Sequence, residues 1–348
     1  MKGKLGLVLH LAALVIAAVC AYLVFSAGKE KAEKGKVILD VEPDQLTRLA
    51  FDTGKKQVVA EARKGGGFTM TVTEQIHKPA PMEKKEKDAK EAPPKTPKGT
   101  AHPAAKMITE TTVNAYRASE EFEKTLARLL PLRAERDLGK VDNQKLSQFG
   151  MVEAGRTLIV EAQSQKVTYL IGAQTYGGAT TYVQEQPEGP VYLISSTLIR
   201  SLDVRGTRYL ERRLVGVDKK DVERVAVGTL TASREFTQQK REKRRNIWVP
   251  VDSPDVTNDL FTNWVERAFH LGATEYLDQD PVPPPKPEFK LLYFRGNKKL
   301  DELQVASAEA EAGKRDFFAR SGFTGGWVKL RRQDAEAVVN DLANVLEQ

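Results

Sequence analysis

The residues best suited to bind something are six consecutive charged residues, 240–245 (KREKRR). Cations placed together in this way can contact anionic lipid headgroups, glycans or an acidic protein partner. The candidate contact residues are Lys240, Arg241, Lys243, Arg244 and Arg245. The competing interpretation is a solvated hairpin tip, equivalent to residues 63–65 earlier in the chain. Only Trp248 is near the run, so the interleaved aromatic residues typical of a nucleic-acid site are missing.

The residue sets that enzymes and metal sites use are not visible in the sequence. Cys20 is the only cysteine, so neither an intramolecular disulfide nor a cysteine-based zinc site can form. No G-x-S-x-G elbow occurs, and residues 65–67 (GGG) lack the Lys-Ser/Thr of a phosphate loop and read as a hairpin turn. No pair among the four histidines has metal-ligand spacing on a predicted element; they are His10, His77, His102 and His270. We therefore expect no catalytic residue, no cofactor and no metal, with a cryptic enzyme as the alternative.

Residues 5–27 form one apolar run, interrupted only by His10. A bilayer core requires about 20 apolar residues in a helix, and a backbone in lipid must satisfy its own hydrogen bonds. We expect a cytoplasmic tail at residues 1–4, a transmembrane helix at 5–27 and a juxtamembrane linker at 28–36. The alternative is a cleaved signal peptide, whose apolar stretch is usually about 7–15 residues.

Composition and charge describe the part that follows the apolar run. The chain of 348 residues is 41% hydrophobic and 29% charged, which is globular, and its length suggests two domains. A net charge of +7 is modest for this length and favours weak attraction to anionic surfaces over nucleic-acid binding. An exported domain without disulfides is ordinary in a bacterium. The sequence thus predicts a single-pass protein of the bacterial cytoplasmic (inner) membrane with a periplasmic soluble part.

Two proline-rich segments interrupt this soluble part. Residues 77–106 contain six prolines, many lysines and almost no large apolar side chain, so they cannot bury enough surface to fold. Residues 278–287 (DQDPVPPPKP) read as a stiff connector. We expect the first to be an insertion between a sheet and its helix, and the second to be a spacer.

The sequence pattern repeats. Residues 41–51 resemble residues 217–227, since in both a polar turn leads into an alternating strand. The same order of further strands, a helix, a hairpin, a strand and a closing helix follows each. The fold class is therefore predicted as α+β: a transmembrane helix and then two repeated units, each an antiparallel sheet with packed helices. Repeat 1 is expected at residues 37–208, with its insert at 77–106, and repeat 2 at 209–348, with its connector at 278–287.

Apolar spacing and turn residues predict the elements of each repeat. The predicted strands of the first repeat are 56–63, 68–75, 157–162, 167–172 and 191–194, and its helices are 113–130 and 196–202. The predicted strands of the second repeat are 233–239, 246–251, 290–295, 300–307 and 327–330, and its helices are 255–271 and 333–346.

The segment at residues 146–151 (LSQFGM), ahead of residues 157–160 (TLIV), resembles an element of a bacterial family known as domain of unknown function 4340. Further segments that carry the resemblance are 169–172 (YLIG), 181–183 (TYV), 191–194 (VYLI) and 209–214 (YLERRL). The resemblance extends over about residues 37–346 and is strongest between Tyr116 and Leu230. The chain departs from the family pattern at Met151 and Gly155, where Leu and Pro are more common.

The resemblance implies a membrane-anchored envelope protein, because members often accompany gliding-motility-type ABC transporter auxiliary subunits. It implies no catalytic residues. We expect a non-enzymatic accessory or scaffold subunit that binds another envelope complex, such as an ABC transporter or gliding-motility system. The alternative is a periplasmic binding module for peptidoglycan or anionic lipid. No small-molecule substrate can be identified from the sequence.

Overall fold

The computed structural model describes residues 35–79, 107–152, 154–163, 165–203, 207–239, 247–256, 259–310 and 313–347. The predicted transmembrane helix, most of the predicted insert and the basic run 240–245 lie outside these residues. Among the residues that the structure describes, none of the helices has the length and apolar character needed to cross a bilayer.

The described residues form an α+β fold that is mostly β. From residue 35 to residue 203 the elements are β1 (Lys36–Leu39), β2 (Leu46–Asp52), β3 (Lys56–Ala62), β4 (Phe68–Pro79), β5 (Met107–Arg117), α1 (Glu120–Leu129), β6 (Leu132–Ala134), β7 (Arg136–Gly139), α2 (Asn143–Gln148), β8 (Thr157–Ala162), β9 (Gln165–Gln174), β10 (Thr180–Glu185), β11 (Val191–Ser195) and α3 (Ser196–Leu202). From residue 207 to residue 347 they are β12 (Arg224–Gly228), β13 (Ser233–Gln239), β14 (Ile247–Pro250), α4 (Asp259–Phe269), β15 (Ala273–Tyr276), β16 (Lys286–Arg295), β17 (Lys298–Glu309), β18 (Arg315–Ser321), β19 (Val328–Leu330), α5 (Arg332–Asn340) and α6 (Leu342–Glu347).

Residue contacts divide the chain into two compact, discontinuous units. The first unit contains the described parts of residues 1–46 and 126–201, and the second contains those of residues 47–125 and 202–348. The division falls within α1, so the units do not coincide with the two predicted repeats. The repeat boundary at residues 208/209 therefore stays a prediction about the order of the sequence.

In the first unit, five antiparallel strands follow the order β8-β9-β10-β11-β7, and β1 pairs with β6. Burial alternates along the strands. In β8, Leu158 and Val160 are buried, whereas the residues before each of them, Thr157 and Ile159, are partly exposed. This period of two is typical of a sheet with one face on the core.

In the second unit, four antiparallel strands follow the order β5-β4-β3-β2, and an eight-stranded sheet follows the order β14-β13-β12-β16-β17-β18-β19-β15. Helix α4 packs on the eight-stranded sheet, where Phe261 and Trp264 lie 5.4 and 5.8 Å, centroid to centroid, from Phe236 and Phe289. The indole Nε1–H of Trp264 donates to the carbonyl of Val338 at 2.9 Å and links α4 to α5.

The same order of elements occurs twice along the chain. A short 3-10 turn (Pro43–Gln45, Lys219–Asp221) precedes β2 and β12. The strands β4-β3-β2 correspond in order to β14-β13-β12, and β8-β9-β10-β11-β7 correspond to β16-β17-β18-β19-β15. Among the residues that the structure describes, strand β5 has no counterpart in the second series.

The predicted helix at residues 113–130 is wrong at its start. Residues up to Arg117 belong to β5, and α1 begins only at Glu120. The segment 109–115 (TETTVNA) is rich in β-branched side chains, whose restricted χ1 favours a strand, and its pairing with β4 settles the conformation. The three glutamates in the first turn of α1 favour a helix start there, because they complement the helix dipole.

The proline-rich segments also differ from their predicted limits. Strand β4 continues through His77 to Pro79, which pairs with Met107, so the insertion lies in the β4–β5 connection rather than between a sheet and its helix. The predicted connector overlaps β16, which begins at Lys286. The predicted closing helix at residues 333–346 is two helices, because α5 ends at Asn340.

Candidate functional site

The second unit contains a cleft of about 290 Å³, beside the C-terminal half of β5. Two guanidinium groups, those of Arg63 and Arg117, line it together with the aromatic rings of Tyr116, Tyr276 and Trp327. We call it the arginine cleft. In this cleft, two arginines and three aromatic rings lie beside the C-terminal half of β5.

Arg117, on β5, is held in place by Phe323. Its Nη1–H donates to the carbonyl of Phe323 at 3.2 Å, and its guanidinium lies 3.8 Å from the centroid of the Phe323 ring. Burial lowers the pKa of Arg117, and the positive charge of Arg63 lowers it further. An arginine stays protonated at neutral pH in spite of such a shift, so the cleft contains a fixed cation.

The turn at residues 321–327 (SGFTGGW) positions Phe323. The hydroxyl of Ser321 accepts the backbone N–H groups of Phe323 and Thr324 and donates to the carbonyl of Leu214. Gly216 leaves room for the ring, because a Cβ at that position would lie 2.8 Å from Phe323. Because these hydrogen bonds fix the turn and Phe323, they also fix the orientation of Arg117, which contacts Phe323, in the ligand-free protein.

Arg63 enters the cleft from the turn after β3. Its guanidinium lies beside Gly325, whose backbone has a φ of +75° and whose Cβ, if present, would be 4.0 Å from Arg63 Nη2. Glycine suits this turn because other residues rarely adopt a positive φ. In the described part of the chain, no carboxylate lies within ion-pair distance of Arg63 or Arg117.

The nearest buried carboxylate, that of Glu211, already has a partner. Arg213 donates to Glu211 Oε2 through Nε at 3.1 Å and Nη2 at 2.9 Å, and its backbone N–H donates to Oε1 at 2.9 Å. Arg213 and Arg63 both influence the pKa of Arg117, so the three guanidinium groups share one region. The three cations outnumber the one buried carboxylate among them, so positive charge is in excess around Arg117.

Tyr276 of the cleft is not available as a base. The hydroxyl of Tyr276 donates to the carbonyl of Glu211 at 3.1 Å. Burial and the nearby Glu211 raise the pKa of Tyr276 to about 12, so the phenol stays protonated at neutral pH. The ring of Tyr276 therefore forms a wall of the cleft, and Arg117 in the same lining could contact a ligand.

The arrangement can bind an anion and offers no evident means of transforming one. A guanidinium donates two parallel hydrogen bonds to a carboxylate or phosphate, and such charge-assisted bonds are among the strongest in proteins. Within the described ranges, no group of three or more His, Cys, Asp or Glu side chains could hold a metal ion.

The predicted contact residues Lys240, Arg241, Lys243, Arg244 and Arg245 lie outside the described residues, so their role stays a prediction. The arginine cleft was not predicted from the sequence. Its only signals were the Gly325-Gly326 turn and the basic hairpin tip that begins at Arg63, and neither indicated that the two would meet.

A family model described as "Domain of unknown function (DUF4340)" matches residues 109–288, just over half of the chain. The chain belongs to the DUF4340 family. This confirms the predicted family, and the match includes the cleft residues Arg117 and Tyr276 but neither Arg63 nor Trp327. No curated protein and no solved structure matches this DUF4340 chain. The family's description names no activity, and membrane anchoring and association with a transporter stay predictions.

Proposed function

We propose that this DUF4340 chain is a non-enzymatic accessory protein of the bacterial envelope that binds an acidic group of a protein partner in the arginine cleft. The observation that carries the proposal is the pair of cations, Arg63 and Arg117, that have no carboxylate partner in the described part of the chain. Both guanidinium groups are half-buried, so they remain open to a ligand, and a carboxylate or phosphate could accept charge-assisted hydrogen bonds from them. Binding sites are expected to retain such unpaired charge.

The location of the protein is inferred from residues 5–27. An apolar run of this length is sufficient for a single transmembrane helix, and the soluble part would then lie in the periplasm. The repeated order of elements supports a duplicated α+β module on this anchor. An anchored, duplicated module with one cationic cleft suits a subunit that holds a neighbouring protein at the membrane.

The described residues around the cleft support binding rather than catalysis. Tyr276 is protonated and bonded, and His270 lies at the end of α4 with Nδ1 at 2.6 Å from the carbonyl of Glu266, away from the residues that line the cleft. Without a nucleophile and a positioned base, the groups needed for covalent or acid–base chemistry are not assembled in the cleft.

The expected partner is a subunit of an ABC transporter or gliding-motility system, an expectation that rests on the family resemblance. The second candidate is a periplasmic binding module for peptidoglycan or anionic lipid, which the same excess of positive charge would favour. A cleft of about 290 Å³ with aromatic walls fits a single carboxylate better than a lipid surface.

The test is crosslinking of the full-length protein in a bacterial host, extraction in mild detergent and mass spectrometry of the bound proteins. We expect the native chain to recover an envelope protein and the double variant Arg63→Gln/Arg117→Gln to recover about a hundredfold less or none, since each lost charge-assisted bond contributes about 1.5–3 kcal/mol. Lys298→Gln is the control, because Lys298 is an exposed lysine on a hairpin. Equal recovery by the double variant would refute the role of the cleft.

A further inference from the structure

The free edge of β5 lies next to the arginine cleft. Strand β5 pairs with β4 from Met107 to Arg117 and is the last strand in its order. The N–H of Ala118 donates to Phe68, toward β4, whereas the carbonyl of Arg117 accepts the N–H of Glu211 on the opposite side. Because the backbone groups of successive strand residues point to alternate sides, those of Thr111, Val113 and Ala115 point away from β4.

These outward groups have no backbone partner among the described residues. The N–H and C=O groups of Thr111, Val113 and Ala115 form no hydrogen bond there, and the Val113 side chain is 53% exposed. The same edge is occupied farther along the chain, where Ser119 donates to Tyr209 at 2.7 Å and Glu211 donates to Arg117 at 2.8 Å. An added strand at residues 111–115 would continue the line of that segment.

Strand β5 lacks the usual protection of an edge. Exposed edges are normally blocked by lysine, proline, a bulge or short length. From Met107 to Arg117 the strand is 11 residues long without a lysine or a proline. The two edge strands of the eight-stranded order are shorter: β14 has four residues and ends at Pro250, and β15 also has four. The contrast marks β5 as the edge that is open to pairing.

We propose that an extended acidic peptide of the partner adds as a strand to β5 at residues 111–115 and places a carboxylate between Arg63 and Arg117. This inference rests on the proposed function and specifies its ligand. Ala115 belongs both to the free edge and to the lining of the cleft, so a strand paired there ends beside the two cations. Backbone hydrogen bonds to the added strand would supply affinity, and the cleft would supply specificity. This division is usual in strand addition. A lipid or glycan has no peptide backbone, so it could not pair with this edge as a strand.

The first test measures binding of a fluorescent synthetic peptide, which alternates valine and threonine and ends in two aspartates, to the full-length protein in detergent micelles. Val113→Pro removes the outward N–H and spares the pairing with β4, and proline is tolerated on edge strands where its nitrogen faces solvent. We expect Val113→Pro to weaken binding about tenfold and Val113→Thr, which keeps the donor, to bind as the native chain does. Native affinity in Val113→Pro would overturn the proposal.

Amide hydrogen exchange gives a second readout that does not depend on the variants. The amides of Thr111, Val113 and Ala115 should exchange more slowly when the peptide is bound. A peptide with asparagines in place of the aspartates should bind about tenfold more weakly, because a bidentate ion pair is lost. Unchanged exchange in the peptide complex would overturn strand addition, as would slow exchange in a free protein that elutes as a dimer, because a second copy would then occupy the edge.

The partner-recovery experiment separates the two proposals. If an envelope protein is recovered by Val113→Pro but lost in Arg63→Gln/Arg117→Gln, the cleft binds a partner without strand addition and the inference fails alone. If no envelope protein is recovered by the native chain, the proposed function fails, whereas the peptide assay still decides whether β5 accepts a strand. Binding of anionic vesicles that survives Val113→Pro, without peptide binding, would contradict strand addition and favour a lipid ligand.

Discussion

Glu211 sets the charge of the arginine cleft. Its carboxylate is almost fully buried and is neutralised by Arg213, which leaves the two cleft arginines without compensation. The ion pair between Glu211 and Arg213 thus limits the excess positive charge around the cleft.

Glu211→Gln should therefore have opposite effects on binding and stability. Removal of the carboxylate adds one net positive charge, so the acidic peptide should bind more tightly and its affinity should fall more steeply with added salt. The unpaired Arg213 should lower the free energy of unfolding by about 1–3 kcal/mol. Denaturant titration and peptide binding measure the two effects. Glu235→Gln, which breaks an exposed ion pair with Arg224, serves as control, and unchanged affinity in Glu211→Gln would contradict this balance.

Asp316 contributes a pH-dependent part of the stability. Hydrogen bonds from Lys329, at 2.8 Å, and Arg332, at 2.7 Å, hold the pKa of Asp316 below its ordinary value of 3.8. A carboxyl with a lowered pKa stabilises the fold above the unfolded-state pKa, and this contribution is lost as the pH falls through the folded-state pKa. We expect Asp316→Asn to lower stability near neutral pH and to match the native chain in strong acid. Urea titrations across this pH range check it, and a constant difference at all pH values would contradict it.

Edge strand β14 is fixed to helix α4 by a buried hydroxyl. Thr262 accepts the backbone N–H of Trp248 at 3.0 Å, and Trp248 is itself fully buried in the second unit. Strand pairing with β13 and this contact together replace the longer ladder that β14 lacks. The hydroxyl thus joins helix to sheet at the end of the eight-stranded order.

Thr262→Val keeps the shape of the side chain but leaves the N–H of Trp248 buried without its acceptor. We expect the free energy of unfolding to fall by about 1–3 kcal/mol, the usual cost of a buried unsatisfied donor. Thr237→Val, at a half-exposed position of β13, loses only an exposed hydrogen bond to the carbonyl of Glu223 and should change it by less than about 0.5 kcal/mol. Equal effects of the two substitutions in denaturant titration would show that the contact contributes nothing.

Patterns within a short segment predicted the elements that depend mainly on the residues of that segment. Strands β8 and β13 and helix α3 have the predicted bounds, because alternation and helical spacing are complete within each segment. The start of α1 could not be predicted in this way. Tyr116 and Phe122 fit a helical spacing, but pairing of β5 with β4 over eleven residues outweighs that pattern.

At the scale of the whole molecule, the cleft could not be read from the sequence. Arg63, Arg117 and Trp327 lie on separate stretches that only the tertiary fold brings together. Clustered cations such as residues 240–245 are visible along the chain, whereas two cations that the tertiary fold brings together from separate stretches are not. Glycines gave partial guidance, since the positive φ of Gly66 and Gly67, close to Arg63, follows from the turn predicted at residues 65–67.

The proposed anchor also makes a prediction at this scale. Without residues 1–27, the protein should move from the membrane fraction to the soluble fraction and keep its folded structure, because the described fold begins after that run. Fractionation followed by circular dichroism of the purified protein checks both parts. A truncated protein that is still found with the membranes would contradict single-helix anchoring.

The most direct test of the central claim is site-specific photocrosslinking from the cleft itself. A photoreactive residue replaces Thr69, which lines the cleft, in the full-length protein inside a bacterial host, and Lys298 is the control position. We predict an adduct with an envelope protein from position 69, absent from position 298 and lost in Arg63→Gln/Arg117→Gln. An adduct that persists in the double variant, or none from position 69 in a folded protein, would contradict the claim that the arginine cleft holds the partner.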